Sequence, residues 1–245
     1  MRSRSAVALG VGGLLAAHWA PAAAAVSPAA AHLLRLRTTF PSERGVLLTF
    51  DDGPHPQGTP AMLSALDEAH APAMFFVSGE QAARHPELVR EIAAAGHELA
   101  LHGYRHQTRR QWDRRLLADD TRRSLDAVSA AAGAVPRLYR PPHGVFSLTG
   151  LQLIRALGLE PLLWSKWGRD WERCATAAGI ALHGTAGIRA GDVVLLHDAD
   201  HYGARGNWRA TAAALPLIVE RIAAAGLAAA SVRRRPARCR LALTI

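Results

Sequence analysis

The sequence predicts an α/β fold: a largely parallel barrel of about seven strands, incomplete or distorted, with an open doubly wound sheet as the alternative. Three observations carry this. Apolar runs at 45–50, 73–77, 97–101, 137–140, 161–164, 192–197 and, more weakly, 228–232 alternate with helix-period segments at 59–70, 80–95, 113–132, 147–157, 175–184 and 209–225. Repeated strand–helix units build a mostly parallel sheet with covering helices. The chain has 245 residues, 49% of them hydrophobic. That is enough for one barrel-sized domain with a substantial core, and no interior linker or repeat divides it. Finally, polar residues follow the apolar runs directly, where parallel α/β folds carry their chemistry.

Taken in order, residues 1–31 open with Arg2 and Arg4, continue through the apolar run Ala6–Ala17 and reach the small-residue run Ala22–Ala25. A positive start, a short apolar stretch and Ala-x-Ala sites form the pattern of a secretory signal peptide or a membrane-associated segment. An apolar helix packed on the domain is the competing reading. Export or membrane association, hence an extracytoplasmic location, is expected, with a cytoplasmic one as the alternative. Residues 32–44, with Arg35, Arg37 and Arg44, read as a connector, and 45–232 as the body. Within it Pro86 suits the first turn of a helix, and Gly96 and Gly226 suit helix ends. Residues 233–245 form a basic tail, for which a solvated extension is the ordinary reading.

The formal net charge is +9, yet Lys166 is the single lysine among 29 basic residues and alanine is abundant. This resembles a compositional bias, and no arginine stripe with interleaved aromatics suggests nucleic-acid binding. The charge suits proximity to an anionic surface, a lipid leaflet or an acidic wall polymer. Cys174 and Cys239 have neither Cys-x-x-Cys nor metal-ligand spacing and do not assign a compartment.

The run Leu47-Leu48-Thr49-Phe50 ends in Asp51-Asp52-Gly53-Pro54. Two adjacent carboxylates at the end of a buried strand are costly unless a cation or a shared proton compensates, although Asp-Gly is also ordinary turn chemistry. Further along, His102, Arg140, Asp170 and His197-Asp198 each follow or close an apolar run, so five strands deliver polar groups to one rim. His102 and His106 lie four residues apart, and on a helical turn they share a face and can grip one ion. Two histidines and one carboxylate leave open positions on a metal, as catalytic sites do. Zinc is the expected ion, with Co2+ or Ni2+ as alternatives.

Thr49-Phe50-Asp51-Asp52-Gly53-Pro54, His102-x-x-x-His106, Arg140-Pro141-Pro142-His143-Gly144, Asp170-Trp171 and Leu195-Leu196-His197-Asp198 occur in that order. Together they resemble the five motifs of the polysaccharide deacetylase family, the NodB-homology domain of carbohydrate esterase family four, over roughly 45–232. The resemblance implies a distorted (β/α) barrel of the NodB-like glycoside hydrolase/deacetylase type and a divalent-metal deacetylase. It implies Asp52, His102 and His106 as metal ligands, Asp51 as general base for the water and His197 as general acid. Arg140 would orient and charge-balance the base, and Asp170 would hold His197 protonated. Pro141, His143, Trp164, Trp171 and Leu195 would contact substrate, Trp171 and Leu195 walling the acetyl pocket. Three positions depart from the family's usual pattern. Gly103 stands where Ser or Thr commonly follows the first ligand, His143 where Tyr is usual, and Trp167 where many members carry an additional Asp. Trp164, Trp167 and Trp171 could floor a sugar site. The Gly-rich stretch 200–208 reads as a rim loop, Asp198 as its support, and His55, His70, His85, His183 and His201 as surface or loop histidines. The expected substrate is an acetylated glycan, peptidoglycan or chitin-like, acted on by a monomer. The alternatives are a small or lipid-linked N-acyl amino sugar, or an inactive glycan-binding module. N- versus O-deacetylation stays open.

Overall fold

The computed structural model describes residues 18–108 and 113–232. The expected leader up to residue 17 and the basic tail 233–245, with Cys239, lie outside the described residues.

Eight strands are formed among the described residues: β1 Gly45–Asp51, β2 Ala73–Val77, β3 Glu98–Leu101, β4 Leu138–Tyr139, β5 Glu160–Pro161, β6 Lys166–Trp167, β7 Val193–His197 and β8 Ala228–Ala229. They pair in parallel in the order β5–β4–β3–β2–β1–β7–β6, and β8 lies off this path beside Gly45 and Val46. The described helices are α1 Pro28–Leu33, α2 Gly58–Glu68, α3 Gly79–Arg84, α4 Pro86–Ala94, α5 Arg114–Ala132, α6 Leu148–Ala156, α7 Ala177–Thr185 and α8 Trp208–Ala224. Short 3-10 turns form at Ala20–Ala25 and Pro142–Gly144. No described helix is long and apolar enough to cross a membrane.

β1 is buried along its whole length. Successive side chains of a strand point to opposite faces, and the burial follows this period. Leu48 and Phe50 join Phe75, Val77, Leu101, Val194 and Leu196 in the core beneath the helices. Leu47 joins Met74, Phe76, Ala100, Leu138, Leu162 and Val193 in a second cluster on the other face. Residues from strands far apart in the sheet meet in that second cluster, so the sheet curls around an interior. It is a distorted, incomplete barrel, as the sequence predicts, and not an open doubly wound sheet. The same alternation sends Thr49 and Asp51 inward with Leu47.

The element boundaries differ from the sequence reading in three informative places. The helical pattern 80–95 is two helices that break at His85, whose backbone (φ −133, ψ 58) is not helical. Proline disfavours the helical conformation in the residue before it, and Pro86 then occupies the first turn of α4. The apolar run 161–164 pairs as a strand only over Glu160–Pro161, and Leu163 instead donates to the Arg37 carbonyl at 2.8 Å. β6 has only two residues and no apolar run of its own, so periodicity gave no sign of it.

Phe50 is fully buried and stacks on Phe75 with ring centroids 4.9 Å apart. Phe50→Ala should therefore lower unfolding stability by about 3–5 kcal/mol, read as a shift in the urea midpoint with an unchanged slope.

Candidate active site

All the site groups sit at the carboxyl rim of the sheet. Asp51 closes β1 in register with Phe76 and His197. Asp52, the next residue, takes a left-handed backbone (φ +78), which turns its carboxylate out of the strand line. His102 follows β3 directly. His102 Nε2 and His106 Nε2 each lie 3.3 Å from Asp52 Oδ1. One ligand atom from each residue falls within 4.8 Å of the others. Asp52 Oδ1 is buried and has no hydrogen-bond partner. A buried anionic oxygen without a hydrogen bond, facing two imidazole nitrogens, is a poor arrangement for a metal-free protein and a suitable one for a divalent cation with open positions.

The protonation states agree. Burial, the largest influence on His106, together with His102, His143 and His197 outweighs Asp52 and brings the ring down to about 3, so its lone pair is available at neutral pH. Burial alone would raise the Asp52 carboxyl. The close approach of His102 and the charges of His197, His102 and His106 overcome that and hold it below the usual carboxylate range. With His106 neutral at pH 7, His197 is the principal source of that charge.

Asp51 is held differently. Its Oδ1 accepts from Arg140 Nη1 at 2.6 Å. Arg140 is itself fully buried in the barrel interior and uses every part of its fork. Nε donates to the Leu162 carbonyl, Nη1 also to Thr49 Oγ1, and Nη2 to the Leu163 carbonyl, at 3.1, 2.9 and 2.8 Å. Its guanidinium lies 3.8 Å from the centroid of Phe76. The other Asp51 oxygen faces the cleft, 3.8 Å from His102 Nδ1. The sequence motif includes Thr49 without giving it a role, although it is the polar residue of the run before Asp51 and lies two positions before it, on the same inward face.

His197 lies across the site, its Nε2 4.0 Å from Asp52 Oδ2. Its Nδ1 meets Asp170 Oδ1 at 2.8 Å, and its backbone N–H donates to Asp170 Oδ2 at 2.7 Å. Thr211 and Asn207 complete the Asp170 contacts, the Thr211 hydroxyl on Oδ2 and the Asn207 amide on the backbone carbonyl. Burial opposes protonation of His197, but Asp170, with Asp52 and Asp51 behind it, prevails and raises its pKa to about 10.

The loops carrying these groups are tied by other side chains. Gly103 has no side chain to stabilise the His102–His106 loop. α5 supplies the ties instead: Asp120 accepts from the N–H groups of Tyr104 and Arg105, and Ser124 Oγ donates to the Gly103 carbonyl. Asp198 accepts from Gly53 N–H and the Thr59 hydroxyl, bracing the turn after Asp52. His55, read from the sequence as a surface or loop residue, is partly buried. It accepts from the N–H groups of Gln57 and Gly58 and pairs with Asp200 at 3.2 Å, joining the start of α2 to the 200–208 loop. That loop places Tyr202 flat on the His106 ring, with centroids 4.0 Å apart and planes 13° from parallel. No sequence pattern marked Tyr202.

A cleft of about 600 Å3 opens over these groups. Asp51, Asp52, His102, His106, His197, His143, Trp164, Trp171 and Leu195 line it, while Arg140 and Asp170 are fully buried behind it. Pro141 is buried and does not line the cleft. His143 is exposed, takes φ +57, and meets the His106 ring edge-on at 4.3 Å. Trp167 also lines the cleft, tilted 58° against Trp164, whereas Trp171 stands against His197. All three tryptophans line the cleft, with the Trp164 and Trp167 ring centroids 6.2 Å apart and Trp171 edge-on to His197.

A curled parallel barrel with a two-His, one-Asp cluster between an arginine-paired carboxylate and an aspartate-paired histidine fits a hydrolase-type site. The family model described as polysaccharide deacetylase matches residues 40–162. A chitooligosaccharide deacetylase from Bradyrhizobium sp. (strain ANU 289) is 39% identical over 156 residues, 63% of this chain and 71% of that one. A peptidoglycan-N-acetylglucosamine deacetylase from Bacillus cereus is 33% identical over 162 residues, 64% of this chain and 74% of that one. Among solved structures, a family 4 carbohydrate esterase from Streptomyces lividans in complex with acetate superposes with a TM-score of 0.70 at 30% identity, over 79% of this chain and 95% of that chain. The chain belongs to the polysaccharide deacetylase family.

The His197–Asp170 pair makes a pH prediction. A histidine whose folded pKa is raised adds stability that is fully present below its unfolded value, about 6.5, and is lost as pH rises through the folded value. In chelator-treated protein, the melting-temperature gap between the natural chain and Asp170→Asn should be widest below pH 6.5 and should narrow towards pH 10. A gap independent of pH would contradict the assignment.

Proposed function

We propose that this protein is a metal-dependent hydrolase that removes acetyl groups from N-acetylated amino sugars of a glycan, chitin-like or peptidoglycan. One observation carries the reading: three convergent ligand atoms, one of them a buried carboxylate oxygen without a hydrogen bond, lie between a carboxylate open to the cleft and a protonated histidine. Asp52, His102 and His106 would hold a divalent cation, zinc by the ligand set, with Co2+ or Ni2+ as alternatives. When bound, it supplies Lewis-acid polarisation of the acetyl carbonyl and acidifies water.

The remaining work falls to side chains of known position. Asp51 takes a proton from the attacking water at its cleft-facing oxygen, while Arg140 fixes the other oxygen. His197 donates a proton from Nε2 to the departing amine nitrogen. Asp170 on Nδ1 sets the tautomer and keeps the ring charged until that step. An amine is a poor leaving group, so a histidine kept protonated well above neutral pH suits amide hydrolysis. Asp51 and His197 both line the cleft, so proton removal and proton delivery can act on the same bound acetamide. The chitooligosaccharide and peptidoglycan deacetylases among the relatives support the substrate class. The positive, apolar start of the chain supports an extracytoplasmic site of action, and the basic surface supports proximity to an anionic wall or membrane.

Acetate release from N-acetylglucosamine oligomers and from peptidoglycan fragments tests the reading. Release should stop on chelation and return with added divalent metal. Asp51→Asn should keep its metal stoichiometry and lose about 10²–10⁴-fold in kcat. Full activity in that variant would overturn the base assignment. A metal-loaded natural chain that releases no acetate from any acetylated sugar would overturn the function.

A further inference from the structure

The sequence pattern places residues 20–40 in a leader and connector, yet they are built into the fold. Pro21 and Ala24 of the first 3-10 turn are buried, and Ala24, Ala31 and Leu36 belong to the main core. Ala31 is 1% exposed and Ala24 3%. Ser27 caps α1 by accepting from Ala30 N–H, with Pro28 at the first helical position. α6 grips the segment from outside: Arg155 Nη2 donates to the carbonyls of Leu34 and Arg35 at 2.8 and 3.0 Å.

The chain then runs past the gap between the two ends of the described sheet. β5 and β6 do not bond to each other in the sheet order. Arg37 bridges in parallel to Leu162, accepts from Leu163 N–H, and pairs through Nη1 with Glu160 at 3.2 Å. Two residues later Thr39 bridges to Asp192, and Phe40 N–H donates to the Gly191 carbonyl at 2.9 Å. Phe40 enters the interior cluster with Leu162 and Val193. One short segment thus joins the strand edge at β5 to the start of β7.

Its upper part reaches the cleft. Ala25 packs on Gly144, where φ is +70 and a side chain would run into both Ala25 and the Trp164 ring. Val26 is 72% exposed and lines the same cleft as Gly144 and Trp164. An exposed valine in a cleft that also carries an indole offers an apolar surface suited to the C–H face of a pyranose ring.

We propose that residues 20–40 are an integral stave of the mature enzyme, so that any processing of the leader falls before residue 20, and that Val26 is a substrate contact for a sugar unit adjoining the reacting one. The Val26 contact rests on the glycan reading above, whereas the stave does not. Three measurements decide it. Removing residues 2–17 from the full chain should leave the melting temperature within about 2 °C, and removing 2–31 should lower it by about 10 °C or more or abolish soluble protein. Equal melting of the two truncations would overturn the stave. The N-terminus of protein recovered from the cell envelope or medium should lie at or before residue 20; one beyond residue 20 would overturn it independently. Calorimetric titration with N-acetylglucosamine oligomers should show about 5-fold weaker binding to Val26→Asp than to the natural chain, at an unchanged melting temperature. Equal binding, or no binding to either, would overturn the contact and leave the stave standing. Acetate release by the natural chain, measured alongside, reports separately on the deacetylase reading.

Discussion

The ion pair between Arg140 and Asp51 is the constraint on which the rest of the site depends. Strand alternation drives Asp51 into the barrel interior, where an ionised carboxylate is expensive. A buried partner answers this only when its own hydrogen bonds are also met, and breaking such a pair typically costs about 3–5 kcal/mol. Arg140 meets that condition with four donations, to Thr49, Asp51 and two carbonyls of 162–163, and with the Phe76 face beneath it. The guanidinium therefore links β1, β4 and the chain after β5 from within. It also consumes one Asp51 oxygen and leaves the other to the cleft. Asp52, one residue on and out of the strand line, has no such partner and faces two imidazoles. Adjacent and chemically identical, the two aspartates are made different by where the strand ends.

A second regularity concerns the loops. Three of the segments carrying site residues are each fastened by a buried carboxylate from a different element. Asp120 of α5 holds the loop after His102, Asp198 holds the turn after Asp52, and Asp170 holds both the backbone and the ring of His197. Carboxylates accept several N–H bonds at once, and charge-assisted bonds of this kind are stronger than neutral ones. This explains how Gly103 can stand where a hydroxyl residue is common. The tie is provided from α5, 16 residues further along for Tyr104, with Ser124 adding a second. The rigidity lies in the supports and not in the loop sequence.

How far the sequence reveals this follows from the range of the interactions. The apolar runs show β1, β2, β3 and β7 plainly because those strands are buried and their pattern is local. The acid and histidine positions show too, because they follow those runs directly. β6 escapes because it has two residues and takes its place from β7. Tyr202 escapes because its contact with His106 joins loops almost a hundred residues apart, and no periodicity marks such a meeting. The stave at 20–40 is hidden for another reason. Small apolar residues beside a positive start look like a leader, and alanine gives the same signal in a cleavable segment as in a tight packing contact. Only the neighbours, Gly144 on one side and Arg155 on the other, tell the two apart.

The two cleft histidines show how one environment yields opposite chemistry. His106 and His197 are both largely withdrawn from water, and burial pushes both towards the neutral form. For His106 nothing reverses this: the one carboxylate it meets, Asp52, is shared with His102, and the neighbouring histidines oppose a second charge. His197 has Asp170 to itself at 2.8 Å, fixed in turn by Thr211, and further carboxylates beyond. One ring is left with a lone pair and the other with a proton. The ratio of carboxylates to imidazoles on each side decides this, so exchanging the roles would require moving Asp170 and not the histidines. Asp170 is therefore as much a determinant of the chemistry as the residues that face the cleft, although it never reaches the cleft itself.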